Sequence, residues 1–151
     1  TSILDLTVQV DCGWIETDLL EPLTRLTSLT LKVDGDEPLD LSSLTTLEKL
    51  NVKQGAVESF PESLKTLAVL VKDETDFSEL TRLSHLVLQC PKKATVTLPE
   101  QLESLEVFGV FPQSNISEVQ LKSLFCRLTK PLTDQQKKEL PETLEMTDIA
   151  P

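Results

Sequence analysis

Six times the chain spells Leu-x-x-Leu-x-apolar: at Leu26-Leu29-Leu31, Leu47-Leu50-Val52, Leu64-Leu67-Val69, Leu83-Leu86-Leu88, Leu102-Leu105-Val107 and Leu121-Leu124-Cys126. The motifs start 21, 17, 19, 19 and 19 residues apart. Leucine is abundant, but 29 leucines in 151 residues would yield only about two such triplets by chance, and at no fixed spacing. A period near 20 is too short for repeats built of paired helices, which take about 33 residues or more. It suits one short strand and one return segment per coil.

Longer stretches repeat too. "FPESLKTLAV" (60–69) and "LPEQLESLEV" (98–107) share a template, and "LPETLEM" (140–146) opens a third copy. "FSELTRLSHLVL" (77–88) echoes "EPLTRLTSLTL" (21–31), so proline-bearing units alternate with another type. Within "LTRLTSLTLKVD" (23–34) the apolar spacing changes from three to two. Period two places Leu29, Leu31 and Val33 on one side of a strand and Thr30 and Lys32 on the other, with Leu26 as a corner leucine before it. No unit can bury its leucines alone; stacked coils bury them together, each contributing about 1.5–3 kcal/mol.

These motifs resemble leucine-rich repeats over nearly the whole chain, and the short period and the "LPEQLESLEV" form are most similar to the compact class of bacterial effectors and protist proteins. The resemblance implies an α/β solenoid wound as a right-handed superhelix. A curved parallel β-sheet would line the concave face, with short helical or extended returns on the convex face. Length suggests one domain over residues 1–151, with about seven to eight repeats, and the strand-like start at Thr1 suggests a piece cut from a longer array or a processed product. One departure stands out. Where the family usually carries Asn or Cys, three residues past the third apolar position, this chain has Asp34, Gly55, Lys72, Pro91, Val110 and Thr129. The asparagine ladder is absent, and a less regular coil is expected.

The outward strand positions are where the family meets partners. The column after the second leucine reads Asp5, Thr30, Asn51, Ala68, Val87, Glu106, Phe125, Glu145; two residues on it reads Thr7, Lys32, Lys53, Leu70, Gln89, Phe108, Arg127, Thr147. Early coils thus offer lysines (Lys32, Lys53 and, one column over, Lys49). Later coils offer Leu70, Val87, Phe108 and Phe125 beside Arg127. Outward aromatic and apolar side chains with an arginine have the composition of an interface core. The expected function is therefore a non-catalytic protein-binding module, with a protein partner on the concave face. Two alternatives are a recognition region of a larger repeat-bearing enzyme, such as a ubiquitin ligase effector, and a scaffold subunit.

Composition narrows the remaining possibilities. A net charge of −11 disfavours nucleic acid and anionic membranes, and no apolar run is long enough for a membrane span. Cys12, Cys90 and Cys126 have no CxxC spacing, so no disulfide framework, metal site or cofactor is expected, and free thiols suit a reducing, cytoplasmic setting. Cys90 and Cys126 fall on inward positions and read as core; Cys12 falls in a loop. His85, the one histidine, reads as a surface residue. The acidic runs "DGDEPLD" (34–40) and "KDETDF" (72–77) read as polar turns without calcium-loop spacing. Asn115-Ile-Ser117 fits a glycosylation acceptor. "TDQQKKEL" (133–140) predicts a short helix with Thr133 as N-cap and Gln136 completing a capping box. "WIETDLLEPL" (14–23) suggests another helical turn, with Trp14 as a packing residue.

Overall fold

A computed structural model describes residues 5–10, 26–33, 38–42, 44–54, 56–71, 73–140 and 146–150. The suggested helical turn at 14–23, Cys12, Trp14, the acidic run at 34–37 and Glu145 lie outside them.

The strands follow the leucine motif. The chain divides into two compact units, Thr1–Leu70 and Val71–Pro151. In the first, β1 (Asp5–Val10), β2 (Ser28–Val33), β4 (Lys49–Gln54) and β6 (Thr66–Leu70) pair in that order, all parallel. Two short return strands, β3 (Pro38–Asp40) and β5 (Ala56–Ser59), pair parallel with each other. In the second unit β8 (His85–Cys90), β10 (Ser104–Gly109), β12 (Ser123–Leu128) and β13 (Met146–Ala150) pair in order, again parallel. Its returns form a three-stranded parallel sheet of β7 (Glu74–Asp76), β9 (Thr95–Thr97) and β11 (Gln113–Ser114). Each unit is thus a parallel-strand solenoid, with short and long strands alternating from β2 to β6 and from β7 to β12.

Helix is scarce. Among the described residues it amounts to α1 (Asp134–Lys138) and a 3-10 turn at Ile116–Glu118. The expected capping box is present: the Gln136 amide donates to Thr133 Oγ1 at 3.2 Å, and the Thr133 amide to Gln136 Oε1 at 2.9 Å. The helical share of the α/β expectation is therefore small, and the returns are mainly extended. The acidic runs are corrected accordingly: Pro38–Asp40 and Glu74–Asp76 are strands, because each lies beside the return strand of a neighbouring coil and shares its ladder.

The motif's corner leucines, Leu26, Leu47, Leu64, Leu83, Leu102 and Leu121, are all fully buried, as are the inward strand residues Leu31, Leu67, Leu86, Leu88 and Val107. No polar or charged residue is buried among those described. The spacing of three before each strand has its own geometry. Leu44 donates to the Leu41 carbonyl and Leu47 to that of Leu44, both at 3.1 Å; Leu80 to Phe77 and Leu83 to Leu80 repeat this at 3.0 and 3.1 Å. Successive i→i+3 turns align every third side chain, so Leu41, Leu44 and Leu47 all enter the core without a helix.

Each such corner opens on a side-chain cap. Asp40 accepts from the Ser42 amide at 3.0 Å and hydroxyl at 2.6 Å, and Asp76 accepts from the Ser78 amide at 2.8 Å. The serine hydroxyl and then the amide hold both carboxyls below the usual carboxylate range. Coils are also tied at the residue preceding the corner leucine. Thr46 Oγ1 donates to the Leu26 carbonyl at 2.9 Å, Ser63 Oγ to that of Leu47 at 2.6 Å, and Gln101 Nε2 to that of Leu83 at 3.3 Å and Leu80 at 2.7 Å. This polar series lies just before the corners, apart from the positions after the strands that lack the asparagine ladder.

Candidate interaction face

Period-two alternation sends every second residue of the second unit's long strands away from the core. Leu86, Leu88 and Cys90 are buried while His85 and Val87 are half-buried and Gln89 exposed. Parallel register then builds columns across the open face. His85, Ser104, Ser123 and Met146 are aligned; Val87, Glu106, Phe125 and Asp148 form the next column; Gln89, Phe108, Arg127 and Ala150 the third.

The aromatic pair sits on a diagonal of this lattice. Phe108 and Phe125, both half-buried, bring their ring centroids to 5.9 Å with planes tilted by 53°. The exposed Arg127 follows Phe125 by two residues and pairs in register with Phe108. Its guanidinium carbon lies 5.9 Å from the Phe125 centroid, within cation–π range. On the other side of the lattice, His85 Nε2 is 3.2 Å from Glu106 Oε2, the imidazole donating to the carboxylate. Phe108, Phe125 and Arg127 therefore form one connected cluster, with Val87 in the same column as Phe125.

Compared with known proteins, the chain matches no family model, no curated protein and no solved structure.

The remaining expected site residues fall elsewhere. Leu70 ends β6 in the first unit and is half-buried, past the last β4–β6 register pair, Asn51 with Ala68. The lysine column is corrected. A register shift after Leu31 pairs Lys32 with Gln54, leaving the exposed Lys53 as the extra residue of a bulge in β4, so Lys32 and Lys53 are not register partners. Lys32 is half-buried and Lys49 exposed. Both terminal columns shift as well. Thr7 pairs with Thr30 and Gln9 with Lys32, two residues from the expected alignment, which lets Leu6, Val8 and Val10 match the apolar positions of β2. At β13 it is Asp148, not Glu145, that pairs with Phe125, and Ala150, not Thr147, with Arg127; Ile149 takes the apolar position opposite Cys126.

The other candidates have structural roles. Cys90 and Cys126 are fully buried free thiols, and burial pushes them up to about 11 and about 12. They are protonated at neutral pH and poor nucleophiles. Asn115 clamps the Leu98 backbone, accepting from its amide at 2.7 Å and donating to its carbonyl at 3.1 Å. Asp73 pairs with Lys92 at 3.1 Å. Among the described residues no group of His, Cys, Asp or Glu is placed to hold a metal, and no helix is long and apolar enough to cross a membrane. A concavity of about 600 Å³ lies beside α1, over Phe111 and Pro112. Its helix-side polar groups are engaged with one another, Thr133 with Gln136 and Gln135 with Glu139.

Sequence reasoning did not find the corner caps or the ties between coils. Their signal is present in "DLSSLTTL" (40–47) and "DFSELTRL" (76–83), which share Asp-apolar-Ser followed by leucines at spacing three.

Proposed function

We propose that this chain is a protein-binding module of the leucine-rich-repeat type, with no catalysis of its own, and that it captures its partner on the open sheet face of the second unit. The contact is carried by Val87, Phe108, Phe125 and Arg127. The observation that supports this most is the tilted Phe108–Phe125 pair with the Arg127 guanidinium against it, on a face whose other side is the core. Alternation would ordinarily give such positions polar residues; large aromatics there are the composition of a binding hot spot. The leucine-rich-repeat reading draws its support from the buried corner leucines and the parallel strands that follow them. Two buried unpaired thiols favour a reducing, cytoplasmic setting.

The test is capture from the native source by the chain as bait, compared with a Phe108→Ala, Arg127→Glu double variant. Loss of the captured partner, at an unchanged far-ultraviolet spectrum and nearly unchanged melting temperature, is expected. Equal capture by the double variant would overturn the assignment of this face.

A further inference from the structure

We infer that the partner meets this face with a carboxylate set beside an apolar side chain, the carboxylate on Arg127 and the apolar group on the Phe108–Phe125 pair. The inference rests on the docking reading above and names the chemistry that reading leaves open.

The chain carries 25 acidic residues against 14 basic ones, so an unpaired cation does not result from scarce carboxylates. Three lysines on the coils find acids: Lys65 with Glu48 at 3.1 Å, Lys92 with Asp73 at 3.1 Å, Lys122 with Glu103 at 3.8 Å. Arg127 has no acidic partner among the described residues. Two acids stand diagonal to Arg127 on the lattice, both register partners of Phe125: Glu106 on β10 and Asp148 on β13. A diagonal of about 7–8 Å between backbone positions is within reach of two long side chains. Yet Glu106 turns to His85 on the opposite diagonal, at 3.2 Å. Glu106 is thus hydrogen-bonded by the histidine and not by the guanidinium.

Geometry then selects the ligand. A guanidinium held against a ring keeps its N–H edge free, and that planar edge matches a carboxylate with two parallel hydrogen bonds. The planar guanidinium is pre-organised for that geometry, so less entropy is lost per hydrogen bond formed. Next to it the tilted rings leave an apolar surface that a flat charged group would not fill. A peptide carrying Asp or Glu within a residue or two of an aromatic or aliphatic side chain satisfies both requirements. A basic segment would meet Arg127 with like charge, which a purely electrostatic view of this acidic chain would not anticipate.

A phage-displayed random heptapeptide library, panned on the full chain, tests this. The wild type should enrich peptides that place Asp or Glu beside a large apolar residue. Arg127→Gln should keep the apolar preference and lose the acidic one. For one enriched synthetic peptide, measured by fluorescence anisotropy, changing its acid to the amide should weaken binding about tenfold or more. The same change should have little effect on the Arg127→Gln variant. Enrichment without an acid, or an acid preference that survives Arg127→Gln, overturns the inference and leaves the docking face standing. Absence of enrichment, or enrichment indifferent to Phe108→Ala, overturns the docking reading itself.

Discussion

Gly109 runs so close to the carbonyl of Cys90 on the neighbouring strand that no side chain fits between them. Its φ is +103°, and a Cβ there would lie 2.9 Å from the Cys90 carbonyl carbon and nearer still to its oxygen. The approach lets Val110 donate to that oxygen at 2.7 Å while Thr129 donates to Gly109 at 2.8 Å, so three strands are joined at this point. Gly109→Ala combines a positive φ with a backbone clash and should cost at least about 2 kcal/mol. Urea denaturation would measure it; a loss below about 0.5 kcal/mol would mean the strand end relaxes freely.

The corners should separate apolar from polar contributions. Leu83→Ala leaves a cavity at a fully buried site and should cost about 2–5 kcal/mol. Gln101→Ala loses the bonds to Leu80 and Leu83 and should cost about 1 kcal/mol. Gln101→Glu should be worse than alanine at neutral pH, since a carboxylate cannot donate to either carbonyl, and should recover part of the loss on acidification. Chemical denaturation at two pH values distinguishes these outcomes.

The thiols predict an alkaline signature. Burial raises Cys90 and Cys126 from the ordinary value of 9.0 to about 11 and about 12. The unfolded chain therefore releases these protons first as pH rises. The stability tied to them is fully present below pH 9 and is lost as pH climbs through about 11 and about 12. A Cys90→Ala, Cys126→Ala variant should show a shallower decline above pH 9 than the parent. At neutral pH, thiol reagents should label neither residue until the chain is unfolded.

The face itself should be a small term in folding. Phe108→Ala and Arg127→Glu act on side chains that are half-buried and exposed, so each should shift the melting temperature by less than about 4 °C. A double-mutant cycle between Phe108 and Phe125 should report coupling of about 0.5–1.5 kcal/mol. The half-exposed His85–Glu106 pair should report only a few tenths.

Much of this architecture was legible in the sequence because leucine spacing maps directly onto burial. Leu26, Leu83 and Leu121 were readable as corners, and Val87, Phe108, Phe125 and Arg127 as outward residues, from period two alone. What escaped was register wherever alternation could slide. Leu4, Leu6, Val8 and Val10 allow two alignments two residues apart with equal logic, and only the neighbouring strand chooses between them. The bulge at Lys53 escaped because one extra residue leaves no mark in an apolar pattern that ends at Val52. The return strands escaped for another reason: Glu74-Thr75-Asp76 has turn composition, and its pairing depends on a partner at Thr95–Thr97.

The apolar interior of the described coils has a consequence for divergence. A core held by buried ion pairs or hydrogen-bond networks must conserve those partners together. Here each inward position asks only for an apolar side chain of suitable volume, and volume-conserving swaps among Leu, Ile and Met cost little. The specification is carried by period, with identity required only at a few places such as Gly109, where backbone meets backbone. Two chains of this architecture could share almost no aligned residues and still bury the same coils, while the outward lattice changes freely with each new partner.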